Sequence, residues 1–186
     1  MALETTFRDL WARLNDLIEV LNEFHVSVGF TPPHDETAVA DDLGEASLHL
    51  IGILHESLGP VVQARQAVSI HPDLDRARKA LAISQEYFNQ FERDFPALLA
   101  SYKQLTELAR LAIERPEWTH WTANMKQGIE DCREPMAAVR MAIAACWQEL
   151  AERVGMNSVS VHNTSIGQKI VAKPSEGNDV RYERMT

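Results

Sequence analysis

Twelve positions follow one another at alternating steps of three and four residues: Leu74, Ala77, Leu81, Ser84, Phe88, Phe91, Phe95, Leu98, Tyr102, Leu105, Ala109 and Ala112. That rhythm is the period of an α-helix with one buried seam, and a half-buried strand would alternate with period two instead. Only Ser84 breaks the apolar character of the row. At ~1.5 Å per residue such a helix reaches roughly 60 Å. A single helix of that length cannot bury its own seam, so partners of similar length are required.

The sequence supplies one directly. Trp118, Trp121, Met125, Ile129, Cys132, Met136, Val139, Ile143, Cys146, Leu150 and Val154 carry the same rhythm after Arg115-Pro116. Pro116 suits a first helical position, where its missing N–H costs nothing. Each of these two helices holds an internal proline, Pro96 and Pro135, which should bend it by freeing a carbonyl four residues back. Folding the pair into a hairpin about residue 115 or 116 sets Pro96 opposite Pro135. The two bends then coincide.

Two further helices precede them. Phe7, Leu10, Trp11, Leu14, Leu17, Ile18, Leu21, Phe24 and Val28 form a wide stripe, with Thr6 and Asp9 read as a capping start and Gly29 and Pro32-Pro33 as a stop. The second begins near Asp35-Glu36 and carries Val39, Leu43, Ala46, Leu50, Ile53 and Leu54. Its Gly44 and Gly52 each cost about 1 kcal/mol relative to Ala and so suggest a neighbouring backbone in close approach. Gly59-Pro60 should kink or break it, with Val61, Val62, Ala64 and Val68 continuing toward His71-Pro72. The fold expected is all-α: an antiparallel up-and-down four-helix bundle over residues 1–155, with long kinked third and fourth helices.

Residues 156–186 differ in kind. Between 156 and 171 the one formal charge is Lys169. Ser158-Val159-Ser160-Val161-His162 alternates with period two, Lys169 to Lys173 does so less cleanly, and Asn163-Thr164-Ser165 and Gly167 supply turn chemistry. We read 157–173 as a β-prone interaction segment and 174–186, polar and mixed in charge, as disordered.

Composition narrows the function. Eighteen basic against 27 acidic residues give a net charge of −9, which repels the phosphates of nucleic acid. Glu4 and Asp9 stand where a signal peptide needs a basic start and an apolar run, and no stretch approaches ~18 uncharged apolar residues. A cytoplasmic chain of one domain and a tail is expected. Two cysteines make no disulfide framework; Cys132 and Cys146, two heptads apart, would be separated by roughly 21 Å on one helix, too far to bridge. They read as reduced packing residues.

The second helix offers the best polar cluster for chemistry. Asp42, Glu45, His49 and Glu56 share one face at spacings that could ligate a metal or pair an acid with a base, and equally form a solvated face opposite the apolar stripe. His55-Glu56 opens a HExxH motif, but Gly59 takes the place of the second His. A di-metal carboxylate bundle needs two Glu-x-x-His pairs, and Glu117 with His120 makes one. Nucleophile elbow, P-loop and dinucleotide motifs are absent. No catalytic residue and no cofactor are assigned. Helix 1 presents Glu4, Asp9, Asp16, Glu19 and Glu23 against Arg8 and Arg13 on its polar face, a poor match to anionic lipid, so membrane contact would require a rearranged state.

The order of parts, a helical bundle and then a short charge-poor segment carrying Val159, Val161, Asn163, Ile166, Gly167, Gln168 and Ile170, resembles the bacterial Bell-type proteins. Those are helical effector domains ending in an amyloid-signalling motif. The resemblance implies that a matching segment on a sensor protein templates the tail, and that the helical domain then executes cell death at the membrane. Two readings follow. One is a non-enzymatic interaction or signalling module, a cell-death or defence effector, whose tail pairs with a protein partner or with itself in a homo-oligomer. The alternative is a metal-binding or hydrolytic bundle using Asp42, Glu45 and His49.

Overall fold

A computed structural model describes residues 3–30, 37–69, 72–111 and 116–162. Among them lie five helices: α1 (Leu3–Val28), α2 (Thr37–Ser69), α3 (Leu74–Leu111), α4 (Pro116–Asp131) and α5 (Arg133–His162). The chain is an all-α helical bundle, as the three/four rhythm requires.

The seams are where the rhythm puts them. On α3, Ala77, Leu81, Ser84, Phe88, Phe91, Phe95 and Leu98 are buried, and Phe88, Phe91 and Phe95 pass ring to ring at 5.7 Å. Trp118, Trp121, Met125, Ile129, Cys132, Met136, Val139, Ile143, Cys146 and Leu150 are all buried across α4 and α5, whereas Val154, expected as the last of the row, is 39% exposed. On α1 every stripe residue from Phe7 to Val28 is buried except Trp11, which stays 44% exposed at the edge of the stripe.

Contacts between side chains fix local registers. Arg65 donates to Glu4 at 3.2 Å and His25 meets Ser47 at 2.8 Å, so α2 runs back along α1. Arg140 bonds Glu92, and the indole of Trp147 donates to Gln85 at 2.7 Å. Seven residues back along α3 thus match seven forward along α5. Trp121 donates to the Ser27 carbonyl at 3.3 Å, tying α4 to the end of α1.

Three expectations need correction. The fourth helix is two: Pro135 cannot donate to Asp131, and the chain tightens through Cys132, whose N–H turns back to Ile129 at 3.3 Å while Met136 restarts the ladder on the Cys132 carbonyl at 3.0 Å. By contrast α2 and α3 run unbroken through Pro60 and Pro96. Glu56, whose carbonyl Pro60 frees, is an exposed residue, and Pro96 itself is exposed, so water can satisfy the lost bonds. Thr6 does not cap α1, which begins at Leu3; its hydroxyl is buried inside the helix without a hydrogen-bond partner among the described residues. Finally, 158–162 is the end of α5 rather than a strand. Five alternating residues are a short signal, and extending an existing helix costs far less than nucleating a new element.

The glycines also differ from expectation. A Cβ at Gly52 would meet nothing within 4 Å, and one at Gly44 would touch Val28 at an ordinary 3.9 Å. The close approach is at Gly128, where a Cβ would stand 2.7 Å from the ring of Phe24.

Contacts divide the chain into two units, Met1–Leu150 and Ala151–Thr186. Leu150 is also the last buried residue among the described side chains, which extend to Gly155. The expected boundary at 155 falls one helical turn later.

Candidate functional site

The carboxylate and imidazole face of α2 is solvated. Asp42, Glu45, His49 and Glu56 are all exposed. His49 turns to α3 instead of to its own helix, with Nε2 2.9 Å from the Asp94 carboxylate. Among the described residues no group of three or more His, Cys, Asp or Glu side chains is disposed to hold a metal ion. An exposed pair of this kind contributes about 0–1 kcal/mol and ties two helices together at their surface.

The tail positions divide. Val159 and Val161 lie on the last turns of α5, while Asn163, Ile166, Gly167, Gln168 and Ile170 lie outside the described residues. The helix therefore reaches into the segment read as β-prone, and any strand formed there either begins after His162 or unwinds the end of α5.

Polar groups in the core mostly serve the helices. Ser57 donates to the Leu54 carbonyl at 2.7 Å, and Thr122 donates to that of Trp118. Ser47 donates to Gly44 at 2.8 Å, so its oxygen is free to accept from Nδ1–H of His25. Ser84 and the Trp118 indole N–H are buried with no hydrogen-bond partner among the described residues. The cysteines are packing residues: Cys132 donates to the Gly128 carbonyl at 3.3 Å, and both are reduced and buried. Burial pushes both thiols up to about 12, with Asp131 adding to it at Cys132 and Asp9 at Cys146. A thiol held protonated is a poor nucleophile and a poor ligand.

The recess that stands out lies on the outside of the molecule. An open groove of about 670 Å³ runs along α1 and is lined by Asn15, Ile18, Glu19, Asn22, Glu23, Val26 and Ser27. Trp11 stands one turn before Asn15, and Phe30, 76% exposed, one turn after Val26. Glu19 and Glu23 read in the sequence as part of a plain polar face. The signal for a recess was present in the spacing of Trp11, Asn15, Asn22 and Val26, which run along the margin of the core-facing stripe that holds Ile18.

Fold and surface together define an all-α helical bundle with a solvated α2 face and a grooved α1. No protein-family model, curated protein or solved structure matches this chain. Among the described residues, no helix is long and apolar enough to cross a membrane.

Proposed function

We propose that the chain is a non-enzymatic interaction module: an antiparallel up-and-down bundle, with α4 and α5 together filling the fourth position, that recognises a partner or a second copy through its C-terminal segment. The observation that carries this reading is the coincidence of two boundaries. Among the described side chains, which extend to Gly155, Leu150 is the last buried one, and shortly beyond it the sequence loses its charges, with Lys169 alone between 156 and 171. The register of α3 on α5 supports the hairpin, and extending it brings Pro96 level with the Pro135 region, where the chain breaks into two helices.

A segment that avoids charge and lacks proline until Pro174 is suited to main-chain pairing with another chain. Lys169, Lys173 and Pro174 act as gatekeepers against spontaneous stacking. A cytoplasmic signalling or defence effector of the Bell type is the setting this implies. The end of α5 adds a requirement: pairing that includes Val159 and Val161 must first unwind the last turns of that helix.

The test is an isolated 156–174 peptide followed by circular dichroism and a fibril-binding dye. It should form β-structured assemblies that Ile170→Pro abolishes. If Val161→Pro leaves assembly intact, pairing begins after His162. A peptide that stays monomeric coil at high concentration removes the basis of the reading.

A further inference from the structure

The outer face of α1 carries an open recess whose lining is mostly polar, with apolar side chains exposed toward its ends: Val26 is 58% exposed at one end, and Trp11, 44% exposed, and Phe30 continue the line beyond, while Ile18 between them is buried. From Trp11 to Val26 the stripe covers about four helical turns, roughly 22 Å, the footprint of a short docked helix.

Charge on the same helix is distributed unevenly. Asp9 and Asp16 lie 3.5 and 3.6 Å from Arg13, and Glu4 lies 3.2 Å from Arg65. Glu19 and Glu23, the two carboxylates that line the groove, form no ion pair with any described residue. They are one turn apart on an exposed edge beside the apolar stripe. The side-chain amide of Asn15 donates to the Trp11 carbonyl at 2.7 Å, which leaves its oxygen able to accept from a partner.

We propose that this face of α1 binds a basic amphipathic helix of a partner protein, whose apolar side packs on the exposed Trp11, Val26 and Phe30 while its Lys or Arg residues meet Glu19 and Glu23. Charge selects this occupant. A second copy of α1 would bring its own Glu19 and Glu23 against the same carboxylates, and an anionic lipid surface would be repelled by them.

The experiment uses the full chain and a fluorescent helical peptide of Leu and Lys in amphipathic order, titrated by anisotropy. A matching peptide of Leu and Glu serves as comparison. The Leu/Lys peptide should bind and the Leu/Glu peptide should not. Glu19→Lys with Glu23→Lys should weaken binding by about tenfold or more, and Val26→Ser should weaken it several-fold by removing apolar contact. Glu86→Lys with Glu130→Lys changes the net charge equally on α3 and α4 and should leave binding within about twofold once salt is held constant. All these side chains are at the surface, so the variants should melt like the parent. Equal weakening by both charge pairs would reduce the effect to general attraction and overturn the proposal. Binding of the Leu/Glu peptide would overturn it too, as would self-association of the free chain that Val26→Ser abolishes, which would make a second copy the occupant.

Discussion

Cδ2 of Phe24 in α1 lies 2.7 Å from the point that a Cβ on residue 128 of α4 would occupy. Phe24 is buried, and Trp121 of α4 donates to Ser27 one turn further along α1. Gly128 is thus the residue that lets α1 and α4 come together, and its helix-weakening cost is the condition for that contact.

Gly128→Ala should therefore destabilise the protein, because Phe24 must move and the gain in helix propensity is only about 1 kcal/mol. Gly52→Ala should stabilise it by up to about 1 kcal/mol, since nothing stands within 4 Å of the new methyl group. Urea melts of the two variants check both signs. A stabilised Gly128→Ala would mean that the α1–α4 contact is looser than described.

Core truncations should follow the seams. Phe91→Ala on α3 and Ile143→Ala on α5 remove buried atoms and leave cavities, and each should cost ~2–5 kcal/mol. Trp11→Ala should cost far less, because that ring is 44% exposed. Thermal melts of the three variants, side by side, separate the seams from the edge.

These variants also mark how far the sequence could be read. The seams of α3, α4 and α5 were legible because the three/four rhythm survives even the break at Cys132: ten positions from Trp118 to Leu150 stay buried through a change of helix. The break itself reads as a kink in the sequence, which alone does not say whether Pro135 bends a helix or ends it, and Pro60 and Pro96 sit inside unbroken helices. Trp11 was misplaced because a position at the margin of a stripe is core or surface according to the neighbour beside it. Gly44 and Gly52 drew attention as glycines in a helix, whereas the close approach at Gly128 depends on Phe24, over a hundred residues away. The α2 face was legible as a choice between a ligand set and a solvated surface. Its His49–Asp94 pair was not legible, because it depends on how α3 is laid against α2.

The cysteines make a prediction with a definite sign. Their folded thiols sit at about 12, above the ordinary value of ~8.5 that applies when the chain unfolds. Below about pH 8.5 both states keep the proton and the thiols leave stability unchanged. As pH rises from there toward 12 the unfolded chain releases protons that the folded chain retains, so stability falls. The fall in melting temperature between pH 8 and pH 10 should be smaller in Cys132→Ala with Cys146→Ala than in the parent, each compared with its own value at pH 7. Thiol labelling of the native parent should stay slow across the same range. Rapid labelling of both residues without denaturant would show that the seam is open.

The central claim is that the helical domain is complete at Leu150 and that the segment beyond it serves recognition. The direct test is the thermal melt, by circular dichroism, of a chain ending at Gly155 beside the full chain. The shortened chain should melt cooperatively at the same temperature and lose only the ellipticity of the missing end of α5. A shortened chain that is unfolded, or that melts several degrees lower, would make the C-terminal segment part of the structural core and contradict the claim.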